Sequence, residues 1–273
     1  MEYLSYKNKR VVVCGCFSGM GEATTRMLLG LGAEVHGLDF RETTLNLASF
    51  NRLDLRDPAS IDAAVAKIGG KVDAFFNCAG LPHTSPPLEV MKVNYIGARY
   101  ITGRVIPLMS KGGAIATISS RAGRGWSQRM PVLKELIAID DYEAAVKWCE
   151  GHAEDVREGY VLSKEAIIVW TMMSAVQLIK KGIRINCTMP GTTETPMMSH
   201  FQVTTDSAVL KAALEPSNRR STPAEQAAPV VFLNSDAASY INGAVIPVDG
   251  GFSAGVASGL IESITTTAGA AKK

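Results

Sequence analysis

The 273-residue sequence has no unbroken apolar run of 18 residues, so it offers no membrane-spanning segment of the usual kind. Its first ten residues, Met1 to Arg10, lack the apolar centre of a secretion signal. The expectation is a cytoplasmic protein with no membrane partner. Neither sign of charge dominates: 28 Lys and Arg face 26 Asp and Glu, a formal +2. No basic cluster is long enough to follow a phosphate backbone, which argues against a nucleic-acid partner. Paired cysteines are missing too. There are five, an odd number, and Cys14, Cys78 and Cys187 lie in apolar, strand-like runs. They read as small buried hydrophobes of a reducing compartment. Cys14 and Cys16 have no second Cys/His pair at ligand spacing, so no metal is expected. No repeat, linker or low-complexity tract divides the chain, and one domain over residues 1–273 is expected. A domain of that size buries roughly 70–75% of the surface its unfolded chain exposes.

What is present alternates short β-branched runs with longer helical stretches. Strands are expected at Arg10–Cys14, Glu34–Leu38, Asn51–Leu55, Val72–Asn77, Ala114–Ser119, Ile183–Thr188 and Ala244–Val248. Helices are expected at Glu22–Leu31, Pro58–Ile68 with Asp57 as cap, Leu88–Leu108, Tyr160–Lys181 and Pro223–Leu233. The alternation implies an α/β fold: a doubly wound parallel sheet of Rossmann type with helices on both faces.

The segment Gly15-Cys16-Phe17-Ser18-Gly19-Met20-Gly21 follows the first strand and opens the first helix. Glycines there permit a tight turn and close approach of backbone to a pyrophosphate, and the helix N-terminus offers free N–H groups. Gly15, Phe17, Ser18, Gly19, Met20 and Gly21 are therefore candidate cofactor contacts. The spacing is GxxxGxG rather than GxGxxG, and a glycine-rich loop alone is a weak signal. Asp39 ends the second strand 18 residues beyond Gly21. A carboxylate there accepts the ribose hydroxyls and repels a 2′-phosphate, which selects NAD over NADP. Ser18 agrees, because no basic side chain stands in the loop; Arg41 points the other way, being able to swing toward such a phosphate. Phe40 is taken with Asp39. Asp54 is placed to reach the adenine amino group with Leu55 beside it, although a turn or capping role fits Asp54 nearly as well.

These motifs, with Asn77-Cys78-Ala79-Gly80, Asn94, Ser119-Ser120, Tyr160-Val-Leu-Ser-Lys164, Pro190-Gly191 and Asp249-Gly250-Gly251, stand in one order that resembles the short-chain dehydrogenase/reductase family from about Arg10 to Phe252. The family implies a seven-stranded parallel sheet binding NAD(P). By the resemblance, Asn77, Ala79 and Gly80 pass the adenosine side, while Pro190, Gly191, Thr193 and Thr195 belong to the loop after strand six. Thr195 would hold the nicotinamide carboxamide; Thr193 departs from the usual aliphatic residue. The runs Val93 to Ala98 and Pro190 to Pro196 are similar to the branch of bacterial 3α-hydroxysteroid and coniferyl-alcohol dehydrogenases.

Alcohol oxidation needs a base for the hydroxyl proton. Tyr160 serves only if its pKa falls well below about 10. Lys164, at i+4 on the same helix face, is expected to lower it. Such a pair alone is ordinarily a solvated surface pair; the ordered motif set gives it meaning. The resemblance selects Ser120 over Ser119 to hold the substrate oxygen, and gives Asn94 a water near Lys164. Substrate contacts are expected from Ser120, Tyr160, Trp126 and Met197, with a lid over residues 192–222 that includes Met198 and Phe201. A small hydrophobic alcohol or ketone suits that lid. An NAD-sensing regulator without chemistry is the alternative, but such proteins usually lose Tyr or Lys from the pair. Extended-branch epimerases prefer GxxGxxG, which is absent.

Ser120 and Tyr160 stand 40 positions apart, far more than in most of the family. The extra segment, 124–157, reads as two amphipathic helices. In the resembling branch such an insert sits on the face others use for four-helix association. A homodimer is therefore expected rather than a tetramer, with a covering flap as the other reading. The last residues, 259–273, are expected to be loose.

Overall fold

The computed structural model describes residues 3–200 and 211–262. Phe201 and the expected tail beyond Glu262 lie outside them. Seven strands, β1 Arg10–Cys14, β2 Glu34–Asp39, β3 Ser49–Arg52, β4 Val72–Asn77, β5 Met109–Ile118, β6 Arg184–Pro190 and β7 Val245–Val248, form one sheet in the order β3-β2-β1-β4-β5-β6-β7. Every pairing is parallel. The order reverses between β1 and β4, the point where such sheets open a crevice at their carboxyl ends.

The helices are α1 Gly19–Gly30, α2 Pro58–Ala66, α3 Pro87–Met91, α4 Ala98–Val105, α5 Met130–Ile137, α6 Tyr142–Gly151, α7 Ala153–Val156, α8 Gly159–Leu178, α9 Pro223–Asn234 and α10 Phe252–Ala257. Two cores separate the layers. Val12, Cys14, Phe75, Ile115 and Cys187 face α4 and α8, whereas Val11, Val13, Phe76, Ala116 and Ile118 face α1 and α9. This alternation is the period of two that a buried strand requires. One helix, Gly159–Lys181, is long and apolar enough by length and composition to cross a membrane. Most of it is buried inside the fold, as befits a core helix wedged between the sheet and the insert.

Two sequence expectations shift. β3 ends at Arg52, not Leu55, because Leu53 bonds Asp39 and the chain turns at once, Asp57 N donating to the Asp54 carbonyl at 3.2 Å. β5 begins at Met109, five residues early. The helix over Leu88–Leu108 runs unbroken but changes pitch: α3 passes through a π-helical turn at Lys92–Gly97 into α4, and a 3-10 turn closes it at Ile106–Leu108. Such wide turns favour functional sites, and this one carries Asn94. Asp57 does cap α2, accepting from Ala59 N at 2.9 Å.

Candidate active site

The glycine loop turns directly from β1 into α1. Gly15 has φ +89°, and a Cβ on it would stand 2.5 Å from Ala79 N, so the loop packs backbone to backbone against the segment after β4. That contact joins Gly15 to Ala79, while Cys78 N donates to the Cys14 carbonyl at 2.8 Å. Ser18 starts α1 without a side-chain cap bond, which leaves the first N–H groups of the helix facing the crevice. Asp39 fits a dinucleotide cradle: its Oδ2 accepts from Phe17 N at 2.9 Å and its Oδ1 from Arg41 N at 3.0 Å. The Arg41 guanidinium lies 4.1 Å over the Phe17 ring. Phe40 is half exposed, with Arg52 at 4.8 Å and Arg56 at 5.7 Å from its ring centre.

Asp54 has a cationic partner. Arg56 engages its carboxylate through Nε at 2.9 Å and Nη2 at 2.7 Å. The Arg56 hydrogen bonds hold the Asp54 carboxyl below the usual range. Asp54 is thus a turn residue with a cationic partner, and Leu55 is buried behind it, its carbonyl accepting from Tyr142 at 3.0 Å.

At the carboxyl end of β4, Asn77 Nδ2 donates to the Ala98 carbonyl at 3.1 Å, tying the strand to α4. Asn94 is 2% exposed and is spent on Leu81: Oδ1 accepts from Leu81 N at 2.7 Å, and Nδ2 donates to Leu81 O at 3.1 Å. A Cβ on Gly80 would stand 3.4 Å from Asn94 Oδ1 and 3.8 Å from Lys164 Nζ, so Gly80, Asn94 and Lys164 converge.

Lys164 is buried and its Nζ donates to the Ile118 carbonyl at 3.2 Å. Burial pushes its pKa down to about 8. Its Nζ lies 5.7 Å from the Tyr160 ring centre. The expected lowering of Tyr160 is not produced by these groups: burial pushes the phenol up, and the opposing effect is a hydrogen bond with Ser120. The physical reason is that burial takes the phenol out of water, where its ionised form is disfavoured. The consecutive serines divide as a strand end requires. Ser120 meets Tyr160 and also accepts from Ala122 N at 3.1 Å.

The loop after β6 is fixed at its base. Gly191 N donates to Val248 O at 3.0 Å, and Thr193 is buried, its hydroxyl 3.0 Å from Ser221 Oγ. Pro190 pairs with Val248 at the end of the sheet. Thr195 lies against the glycine loop, its Cγ2 3.3 Å from where a Gly19 Cβ would stand. Met197 is half-buried and Met198 buried. His200 Nδ1 is 3.3 Å from Thr84 Oγ1, so this segment meets the loop after Gly80. Trp126 is half-buried against the main core, and Met189 belongs to that core rather than to a cleft. All five cysteines are free, and no cluster of metal-ligating side chains occurs among the described residues.

Two relationships escaped the sequence. The Asp54–Arg56 pair had a signal, opposite charges two apart in a turn. The other, Glu165 with Arg129, joins residues 36 apart and had none.

Residues 9–132 match the family model described as short chain dehydrogenase, and residues 148–253 match the one described as enoyl-(acyl carrier protein) reductase. The unmatched stretch between them falls in the insert. The chain is 34% identical over 245 residues to coniferyl-alcohol dehydrogenase of Pseudomonas sp. (strain HR199), covering 89% of this chain and 96% of that one. It is 32% identical to 3-alpha-hydroxysteroid dehydrogenase/carbonyl reductase of Comamonas testosteroni over 89% of this chain and 96% of the other. Among solved structures it is similar to 3-alpha-hydroxysteroid dehydrogenase from Pseudomonas sp. B-0831 complexed with NADH, with TM-score 0.76 and 27% identity, covering 90% of this chain and 97% of that one. With its seven parallel strands and its ordered motifs, the chain belongs to the short-chain dehydrogenase/reductase family of oxidoreductases.

Proposed function

We propose that the protein is an NAD-dependent alcohol dehydrogenase/carbonyl reductase acting on a small hydrophobic secondary, allylic or aromatic alcohol. The observation that carries this reading is the convergence of Ser120, Tyr160 and Lys164, with Asn94 and Gly80, at the mouth of the crevice. The nicotinamide, when bound, supplies the hydride acceptor and a positive charge. The chain's own residues handle the proton. Ser120 hydrogen-bonds the substrate oxygen and the Tyr160 phenol together. Tyr160, as phenolate, takes the hydroxyl proton during oxidation and returns it during reduction. Lys164 is held at the cleft floor by Ile118 and supplies positive charge there, positive below about pH 8. The Asn94 side chain is occupied by Leu81, so a relay through this residue falls to its main chain.

The preference for NAD rests on Asp39, whose carboxylate sits at the mouth of the glycine loop and opposes a 2′-phosphate. The hydrophobic substrate rests on Met197 and Trp126 and on the names of the two similar dehydrogenases. The test is turnover of NAD⁺ with hydroxysteroids, terpene alcohols and lignin-derived aromatic alcohols, repeated with Tyr160→Phe. The parent is expected to reduce NAD⁺ with at least one of them. The variant should lose about 10²–10⁴-fold in kcat while still binding NAD. Full turnover by Tyr160→Phe sinks the mechanism.

A further inference from the structure

One buried charge on α8 has no part in the chemistry above. Glu165 follows Lys164 directly and is 2% exposed. Its carboxylate accepts from Arg129 Nη1 at 3.2 Å. Arg129 Nη2 also reaches the Asp155 carbonyl and Asp155 Oδ1, both at 3.2 Å, at the far end of the insert. Arg129 ends the 3-10 segment Arg121–Arg129 that begins at Ser120. The same segment is laid on α8 at two points in between. A Cβ on Gly123 would stand 2.8 Å from the Lys164 carbonyl oxygen, and one on Gly125 3.1 Å from Glu165 Oε1. The segment therefore runs along the catalytic helix backbone to backbone, held at one end by Ser120 against Tyr160 and at the other by Arg129 against Glu165.

Stability does not explain this arrangement. Taking a carboxylate out of water costs several kcal/mol, and a buried pair often does no better than an apolar replacement. The Glu165 carboxyl shows the cost directly, since burial pushes it up to about 7 against the pull of Arg129. What a charge-assisted pair supplies that an apolar contact lacks is direction.

We propose that Glu165 is a positioning residue for the substrate side of the site: its buried pair with Arg129 holds residues 121–129 on α8, and so sets Ser120 against Tyr160. The consequence for substrate rests on the dehydrogenase reading above; the holding of the segment does not.

The experiment compares the full chain with Glu165→Gln, Arg129→Gln, the double variant and Arg129→Lys. Three quantities are read: amide hydrogen exchange across 121–129, KM for the alcohol and for NAD⁺, and Tm. In either Gln variant, exchange within 121–129 and the alcohol KM should each rise about tenfold, the size of one lost charge-assisted hydrogen bond. Exchange in β4 and β6 and the NAD⁺ KM should stay within about twofold, well below that change. The double variant should be no worse than Arg129→Gln alone, since that change already removes the bond to Glu165 along with those to Asp155. Arg129→Lys keeps the charge without the planar fork and should fall between parent and Gln; it also serves where a Gln variant does not fold. Unchanged exchange across 121–129, or a lowered Tm with unchanged alcohol KM, overturns the proposal. A parent without turnover on any alcohol would fail the dehydrogenase reading, while the exchange measurement would still decide whether Glu165 holds the segment.

Discussion

The Ser119 hydroxyl donates to the main-chain carbonyl of Lys164 at 2.8 Å. That bond commits the first serine after β5 to the backbone of α8 and turns the second, Ser120, toward Tyr160. Two adjacent serines of identical chemistry thus receive different work from strand geometry alone.

Their removal should separate accordingly. Ser120→Ala is expected to lower kcat for alcohol oxidation roughly 10²–10³-fold, as loss of a group that stabilises the reacting oxygen does. Ser119→Ala should instead lower stability by about 1 kcal/mol, the net worth of a buried hydrogen bond. Steady-state kinetics and thermal melts on both variants check this; equal kinetic losses would remove the distinction.

The hydrogen bond between Ser120 and Tyr160 fixes a pH effect. Tyr160 acts as base only when ionised. Burial raises its pKa and the Ser120 hydrogen bond lowers it. The rate of oxidation should therefore rise with pH as the phenol ionises. In Ser120→Ala the lowering contribution is gone, so the ascending limb should move to higher pH. Profiles of kcat/KM against pH for parent and variant read this directly, and a limb displaced to lower pH would contradict it.

Much of this architecture was legible in the sequence because it is local. β-branched runs of four to six residues set the strands, and Tyr160 with Lys164 needed only one helical turn. Asp57 before Pro58 announced the cap of α2. The departures come from tertiary contacts. The π turn at Lys92–Gly97 carries Asn94, whose bonds to Leu81 no periodicity encodes. The up-shifted Tyr160 follows from its burial, which helical spacing does not encode. Glu165 carries no signal in the sequence, because its partner Arg129 stands 36 residues away.

Asn94 should be as much a structural pin as a member of the site. Replacing it with Ala leaves Leu81 N–H and C=O without their partner beside Gly80 and Lys164. The expected cost is about 1–3 kcal/mol of stability for the unpaired groups, together with a loss of kcat as the Gly80 segment loses its hold. Chemical denaturation and kinetics on Asn94→Ala test both, and an unchanged denaturation midpoint would show the pair to be dispensable.

Cofactor choice should follow Asp39. Both its oxygens already accept backbone N–H bonds from Phe17 and Arg41, which orients the carboxylate for ribose hydroxyls. Asp39→Ala is expected to weaken NAD by about tenfold, the size of one hydrogen bond to a charged group. It should bind NADP better than the parent, because Arg41 stands beside the vacated position. Binding of the two dinucleotides measured side by side decides the matter: an unchanged ratio takes Asp39 out of cofactor selection.

The insert bears on assembly. Its helix α5 packs on α8, α6 on α3 and the π turn, and α7 on α3 and α8. In the dimer we propose, α5 to α7 stand between α8 and an approaching subunit, and would have to leave for a four-helix association through α8. Leaving is costly, since Leu133, Leu136, Tyr142 and Trp148 are buried in the main core. Exposing one such side chain forfeits about 1.5–3 kcal/mol. Light scattering on the purified protein should accordingly give a mass near twice the 29.1 kDa of the chain. Four chains per particle, joined through α8, would mean that the insert swings aside and that its buried face is shared between subunits.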